Sequence, residues 1–121
     1  MFLDQQVRQD DPRMAKVYAH FERNLREIVK SAGTRVILST VASNVEGFPP
    51  FAGKEAEEQF RLGYYEKARD LDTLRFRADS RINEIIRTTA KDSGTGLIDP
   101  AVRTRRLDLF FYVREIQIDD V

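Results

Sequence analysis

The chain has 121 residues, close to the size of one small domain, so we expect a single unit over residues 1–121. Twenty Lys and Arg residues balance twenty Asp and Glu residues, and this zero net charge argues against a nucleic-acid-binding protein. The chain has no Cys and one His, which excludes disulfides, thiolate zinc sites and sites within one chain that need two imidazoles.

The apolar runs of the sequence predict a cytoplasmic protein without a membrane partner. The first residues, MFLDQQVRQDD, contain early acidic residues and no long apolar stretch, unlike a secretory signal. The longest apolar run, residues 109–113, is far shorter than a membrane span. No glycine-rich phosphate loop and no spaced acidic loop is present, so we expect no cofactor and no metal site.

The clearest predicted helix covers residues 12–32. Asp10 or Asp11 can cap it, Pro12 suits its first position, and Gly33 suits its end. Its apolar residues fall on one arc that contains no charged residue: Met14, Val17, Tyr18, Phe21, Leu25, Ile28, Val29 and Ala32. We expect this face to be packed along its whole length.

Two further helical regions follow. Residues 54–72 have a helical pattern that Gly63 interrupts, and residues 74–92 predict a third helix. The third helix has one apolar side: Leu74, Ala78, Ile82, Ile85, Ile86 and Ala90.

Short strands are predicted between the helices. The β-branched run at residues 35–41 reads as a buried strand, and residues 96–99 read as a second. Residues 108–121 alternate apolar and polar positions and form either a third strand or an unsupported tail. A helix that turns tightly into a buried strand is typical of a parallel sheet. The sequence therefore predicts a helix-rich α/β fold with two or three short strands.

Three segments resemble a known family: VYAHFERNLREIVKSAG followed by VILSTVASNVEGFPPF, then ARDLDTLRFRADSRINEIIR, then a strand that ends in LIDP. They are similar to a bacterial group of SGNH (GDSL-like) hydrolase-type proteins with tetratricopeptide repeats inserted in the hydrolase domain. The resemblance covers most of residues 11–99. It implies a flavodoxin-like, three-layer α/β sandwich and, for the whole family, hydrolysis of ester or acyl groups.

The same resemblance shows which catalytic parts are missing from this sequence. An SGNH enzyme uses a Ser in a Gly-Asp-Ser block, Gly and Asn donors for the oxyanion, and a late His as base. This sequence has no Gly-Asp-Ser block. The family segment LFYEHVHLN corresponds to residues 109–119, which places Gln117 at the base position, and a neutral amide does not accept a proton near pH 7. We therefore expect no catalytic residue and a truncated, catalytically silent domain.

The repeat insertion is shortened as well. Residues 55–63 resemble the start of a tetratricopeptide helix pair and residues 64–68 resemble its later part, so residues 54–72 hold one remnant unit at most. A superhelical binding groove needs about three stacked repeats. A peptide-binding repeat array is therefore not expected.

Three polar residues are candidates for substrate binding. Arg75 and Asp79, one helical turn apart, either orient an anionic group of a substrate or form an ion pair at the start of the third helix. Asn44 follows the first predicted strand, where open α/β sheets bind ligands, or it forms a turn.

His20, on the flank of the first helix, is either a lone base or a solvated surface residue. The basic residues Arg103, Arg105 and Arg106 bind phosphate or form a solvated loop.

An alternative function is a small helical interaction module. In it the apolar faces of the first and third helices dock onto a protein partner or a second copy of the chain. A third hypothesis is that the chain contributes part of a site to a larger SGNH esterase.

Overall fold

The structure, a computed structural model, describes residues 4–102. In chain order its elements are α1 (Pro12–Ser31), β1 (Ile37–Ser39), α2 (Lys54–Arg61), α3 (Tyr65–Leu71), α4 (Ser80–Ser93), β2 (Gly96–Ile98) and a 3-10 helix (Pro100–Val102). This is a small, helix-rich mixed α/β fold, and that class was predicted from the sequence. The described residues do not include the basic residues Arg103, Arg105 and Arg106, Gln117, or the third strand or tail predicted at residues 108–121.

Helix α1 begins where the sequence places its cap. The Asp11 carboxylate accepts a hydrogen bond from the Arg13 backbone N–H at 2.8 Å, and Pro12 occupies the first turn. Past the helix end, Gly33 has φ 63°, a left-handed conformation that a residue without Cβ adopts without strain. The prediction for this helix is confirmed to within one residue.

The apolar face of α1 packs along its centre but not across its full width. Met14 and Tyr18 are buried against Ile85 of α4. Val17 and Ile28, both on one edge of the predicted arc, are 50% and 62% exposed, whereas Val29 on the other edge packs against the cluster around Leu38. This face of α1 is therefore packed from Met14 to Val29, while one edge of the arc stays exposed.

Strands β1 and β2 form a two-stranded parallel sheet, with Ile37 opposite Gly96 and Ser39 opposite Ile98. Leu38 is buried against Ile86 and Ala90 of α4. Because side chains alternate along a strand, Ile37 points to the other face, where it is exposed. Each strand is three residues long and so shorter than predicted.

Helix α4 starts six residues later than predicted, at Ser80, because one carboxylate takes a backbone donor of the preceding segment and a second one caps the helix. Asp72 accepts a hydrogen bond from the Leu74 N–H at 3.1 Å, and Asp79 caps α4 by accepting from the Ile82 N–H at 3.0 Å. Leu74, predicted to lie on the apolar side of the helix, belongs to this non-helical segment, and its side chain is buried. We call residues 72–79 the linker segment.

The interruption predicted at Gly63 is present. Gly63 has φ 84° and separates α2 from α3, which pack against each other. The rings of Phe60 and Tyr65 meet edge-on at 5.2 Å across this turn. Within residues 4–102, no helix is both long and apolar enough to cross a bilayer.

Candidate functional site

Tyr18 of α1 meets Arg75 and Asp79 of the linker segment in a buried cluster. The Tyr18 hydroxyl donates to the Asp79 carboxylate, and the Arg75 guanidinium forms an ion pair with the same carboxylate oxygen. Arg75 Nη2 also donates to Tyr18 Oη at 3.2 Å. We call these three side chains the Tyr18–Arg75–Asp79 cluster.

The second terminal nitrogen of Arg75 connects the cluster to the end of α3. Arg75 Nη1 donates to the backbone oxygens of Asp70 at 2.6 Å and Asp72 at 3.0 Å. Carbonyl groups at the end of a helix have no partner within the helix, and a cation there is favourable. Arg75 therefore joins the end of α3 to the start of α4.

Both oxygens of the Asp79 carboxylate are engaged. One oxygen accepts from Tyr18 and Arg75, and the other caps α4 at the Ile82 N–H. Asp79 is only 3% exposed. The structure thus brings together two of the residues predicted to bind substrate, and it gives both of them internal partners. Substrate binding by Arg75 or Asp79 stays a prediction.

Burial and, after it, the hydrogen bond to the Asp79 carboxylate together raise the pKa of the Tyr18 phenol to about 12. The positive charge of Arg75 acts in the opposite sense. Tyr18 is therefore a neutral hydrogen-bond donor at neutral pH and not a phenolate nucleophile.

The cluster lies along a groove of about 520 Å³ between α1, the linker segment and the chain before α1. Its apolar lining is formed by Val7, Met14, Val17, Leu74, Phe76 and Ile82. Mostly apolar walls with a few fixed polar groups are typical of ligand-binding clefts. We call it the α1 groove.

Asn44 lies elsewhere and forms a turn. Its side-chain oxygen accepts a hydrogen bond from the Gly47 N–H at 2.8 Å, and its backbone oxygen accepts from the Phe48 N–H at 3.1 Å. It is not among the residues that line the α1 groove. The structure therefore does not bring Asn44 to Arg75 and Asp79.

His20 is exposed on α1. Within residues 4–102 it makes no hydrogen bond and no ion pair, so no serine of this part of the chain lies within bonding reach of its imidazole. That geometry fits the solvated interpretation of this residue.

A polar group at the carboxyl ends of the strands was missed. Asn83, buried in α4, donates to the Val41 carbonyl at 3.0 Å and accepts from the Val41 N–H at 2.8 Å. Asp99 accepts from Thr40 Oγ1 at 2.7 Å and from Arg87 Nε at 2.8 Å. The signal in the sequence was an amide next to the apolar side of a predicted helix and an acid directly after a strand.

The Arg87 hydrogen bond is the main reason why the pKa of the Asp99 carboxyl lies below its ordinary value, and Thr40 acts in the same direction. Asp99 is therefore ionised well into the acidic range. Together with Asn83, it holds the ends of both strands against α4.

Three phenylalanines form an exposed aromatic surface beside the α1 groove. Phe48, Phe51 and Phe76 are 60%, 55% and 62% exposed, and the rings of Phe51 and Phe76 meet edge-on at 5.6 Å. Arg77 lies 5.6 Å from the Phe51 ring centre and donates to the Phe48 carbonyl at 2.9 Å. Arg77 also pairs with the buried Asp72 carboxylate. We call Phe48, Phe51 and Phe76 the aromatic surface.

Within the described part of the chain, no three acidic or imidazole side chains are grouped so that they could hold a metal ion. Comparisons of the chain with protein-family models, with curated proteins and with solved structures gave no match.

Proposed function

We propose that the chain is a catalytically silent domain that resembles the later part of an SGNH-hydrolase-like sandwich. One observation carries this proposal: the charged side chains expected to face a substrate, Arg75 and Asp79, are bonded to each other, to Tyr18 and to the backbone. A residue that caps a helix and neutralises a buried guanidinium has a structural task that substrate binding would interrupt.

The pattern of bonds in the motif ARDLDTLRFRADS supports the same role. Besides the cluster, Asp70 accepts from the Ser80 N–H at 2.9 Å, and Asp72 accepts from the Phe51 N–H at 2.9 Å and the Ala52 N–H at 3.2 Å. This motif, part of one of the three segments that carry the family resemblance, therefore fastens α3, α4 and the loop after β1 to one another. In this proposal the motif has a structural role, which is to hold these elements together. Gln117, at the position of the family's catalytic base, removes the remaining catalytic function.

The finer description of the fold belongs to the same proposal. A parallel strand pair with helices on one face is a fragment of the flavodoxin-like sandwich that the resemblance implies, and parallel sheets normally have both faces covered. A cytoplasmic location is part of the proposal too.

Hydrolysis of a p-nitrophenyl ester by the purified full chain tests the proposal. We expect the rate of the chain to equal that of buffer and to be unchanged in His20→Ala. Turnover that is lost on changing a single serine would overturn it. Ser43→Ala is the most informative variant, because its hydroxyl is buried without a hydrogen-bond partner within residues 4–102.

A second candidate function, an interaction module, is favoured by the aromatic surface. The apolar faces of α1 and α4 contact each other along their centres. Among the exposed apolar side chains, Phe51 contacts Phe76, and Arg77 links Phe51 to Phe48. Exposed aromatic rings beside an Arg are typical of interface hot spots. The partner to test is a second copy of the chain, by light scattering on a size-exclusion column.

In that experiment a concentration-dependent dimer would support the interaction module, and its loss in Phe51→Ser with Phe76→Ser would locate the interface. Tyr64→Ser is a matched control, because Tyr64 is equally exposed on the turn before α3. A monomer at all concentrations would contradict self-association.

A further inference from the structure

The α1 groove offers a place for apolar side chains from another segment. Its walls combine aliphatic and aromatic groups, and its rim carries the half-exposed Val17 and the exposed Phe76. Removing such surface from water is favourable in proportion to its area.

The chain itself contains a segment of matching chemistry. Residues 109–113, Leu-Phe-Phe-Tyr-Val, are its longest apolar run. Aromatic side chains bury about 150–250 Å² each, so docking two or three of them would remove several hundred Å² of surface from water. From this match we propose that residues 109–113 dock in the α1 groove of their own chain.

The length of chain after the last described residue permits this contact. Val102 shares a small cleft with Ser80 and Asn83 at the start of α4, and Asp79 and Ile82, on the same turn of α4, line the α1 groove. The two sites are thus separated by about one helix diameter, about 10 Å. Residues 103–108, when extended, reach about 20 Å.

Because the chain has no native Cys, docking can be tested with pairs of introduced cysteines that form a disulfide when they lie close together. Val17→Cys is combined with a cysteine at each of positions 109–113 in turn, and intramolecular disulfide formation in the full chain is followed by mass and non-reducing gel. Ile28→Cys is the matched control, since it is another exposed β-branched residue of α1, about 16 Å further along the helix.

We expect the best Val17 pair to close about ten-fold faster than any Ile28 pair, because docking raises the effective concentration of the two thiols. Equal rates for the two series would overturn the proposal. Disulfide-linked dimers from the Val17 series would also contradict it, since they would mean that the groove holds the segment of a second copy.

Chymotrypsin gives a readout without cysteines. Docking protects the bonds after Phe110, Phe111 and Tyr112, so Val17→Glu is expected to speed cleavage there about ten-fold, while Ile28→Glu leaves it unchanged. Both positions are exposed, so both variants retain the fold, which circular dichroism verifies. Unchanged cleavage in Val17→Glu would contradict docking. The proposal does not depend on whether the chain hydrolyses esters.

Discussion

The Tyr18 hydroxyl donates a hydrogen bond to the Asp79 carboxylate, and so links the second turn of α1 to the N-cap of α4 across 61 positions of sequence. Arg75 pairs with the same oxygen, so one buried carboxylate holds a phenol, a guanidinium and a helix end. The contribution of the Asp79 carboxylate to the free energy of unfolding can be measured at these contacts.

The Tyr18 contact is tested by Tyr18→Phe, which removes the hydroxyl and keeps the ring. A hydrogen bond to a charged group is worth about 1.5–3 kcal/mol, and we expect the free energy of unfolding in urea to fall by an amount in that range. Tyr64→Phe, at an exposed site, is the control and should change it by less than about 0.5 kcal/mol. A Tyr18→Phe protein as stable as the parent would show that the hydroxyl does not bind Asp79.

The cap is tested by Asp79→Ala against Asp11→Ala. Both residues cap helices, but Asp79 also neutralises the buried Arg75, whereas Asp11 pairs with an exposed Arg13. We expect Asp79→Ala to cost about 3–5 kcal/mol and Asp11→Ala to cost clearly less. Equal losses in chemical denaturation would mean that Arg75 does not need the carboxylate.

The raised pKa of Tyr18 predicts a loss of stability in alkali. Folding holds the phenol neutral with a pKa of about 12 against an ordinary value of 10.0, so its contribution is complete below pH 10.0 and is lost as the pH rises toward 12. The difference in unfolding free energy between the parent and Tyr18→Phe should therefore shrink over this interval. A constant difference would contradict the buried phenol.

Acid should weaken the contact at the strand ends. Since Arg87 and Thr40 hold the pKa of Asp99 below 3.8, its contribution is complete above that pH and is lost as the pH falls further. We expect Asp99→Asn to be less stable by about 1 kcal/mol at neutral pH and to depend less on pH below 3.8. Parallel stability curves for the two proteins would refute this role.

Local signals in the sequence were sufficient to predict the helices whose ends are marked by capping residues, Pro or Gly. Asp11, Pro12 and Gly33 mark α1, and Gly63 marks the break between α2 and α3. The two strands were found from their β-branched and apolar runs, and their parallel pairing is made possible by the long helical connection, α2 to α4, between them.

The start of α4 could not be found in this way, because the apolar spacing of Leu74 and Ala78 continues a helical pattern. What ends that pattern is the competition of Asp72 and Asp79 for backbone N–H groups, and that depends on contacts far along the chain. Arg77 and Asn83 were missed for the same reason, since their partners are Phe48 and Val41.

The proposed structural role of Arg75 and Asp79 is measured most directly by the coupling free energy between them. A double-mutant cycle with Arg75→Met and Asp79→Asn, unfolded in urea, gives this quantity. If the two side chains serve the fold, we expect the double variant to recover about 2 kcal/mol relative to the sum of the single losses. A coupling below about 0.5 kcal/mol would contradict the structural role of this pair.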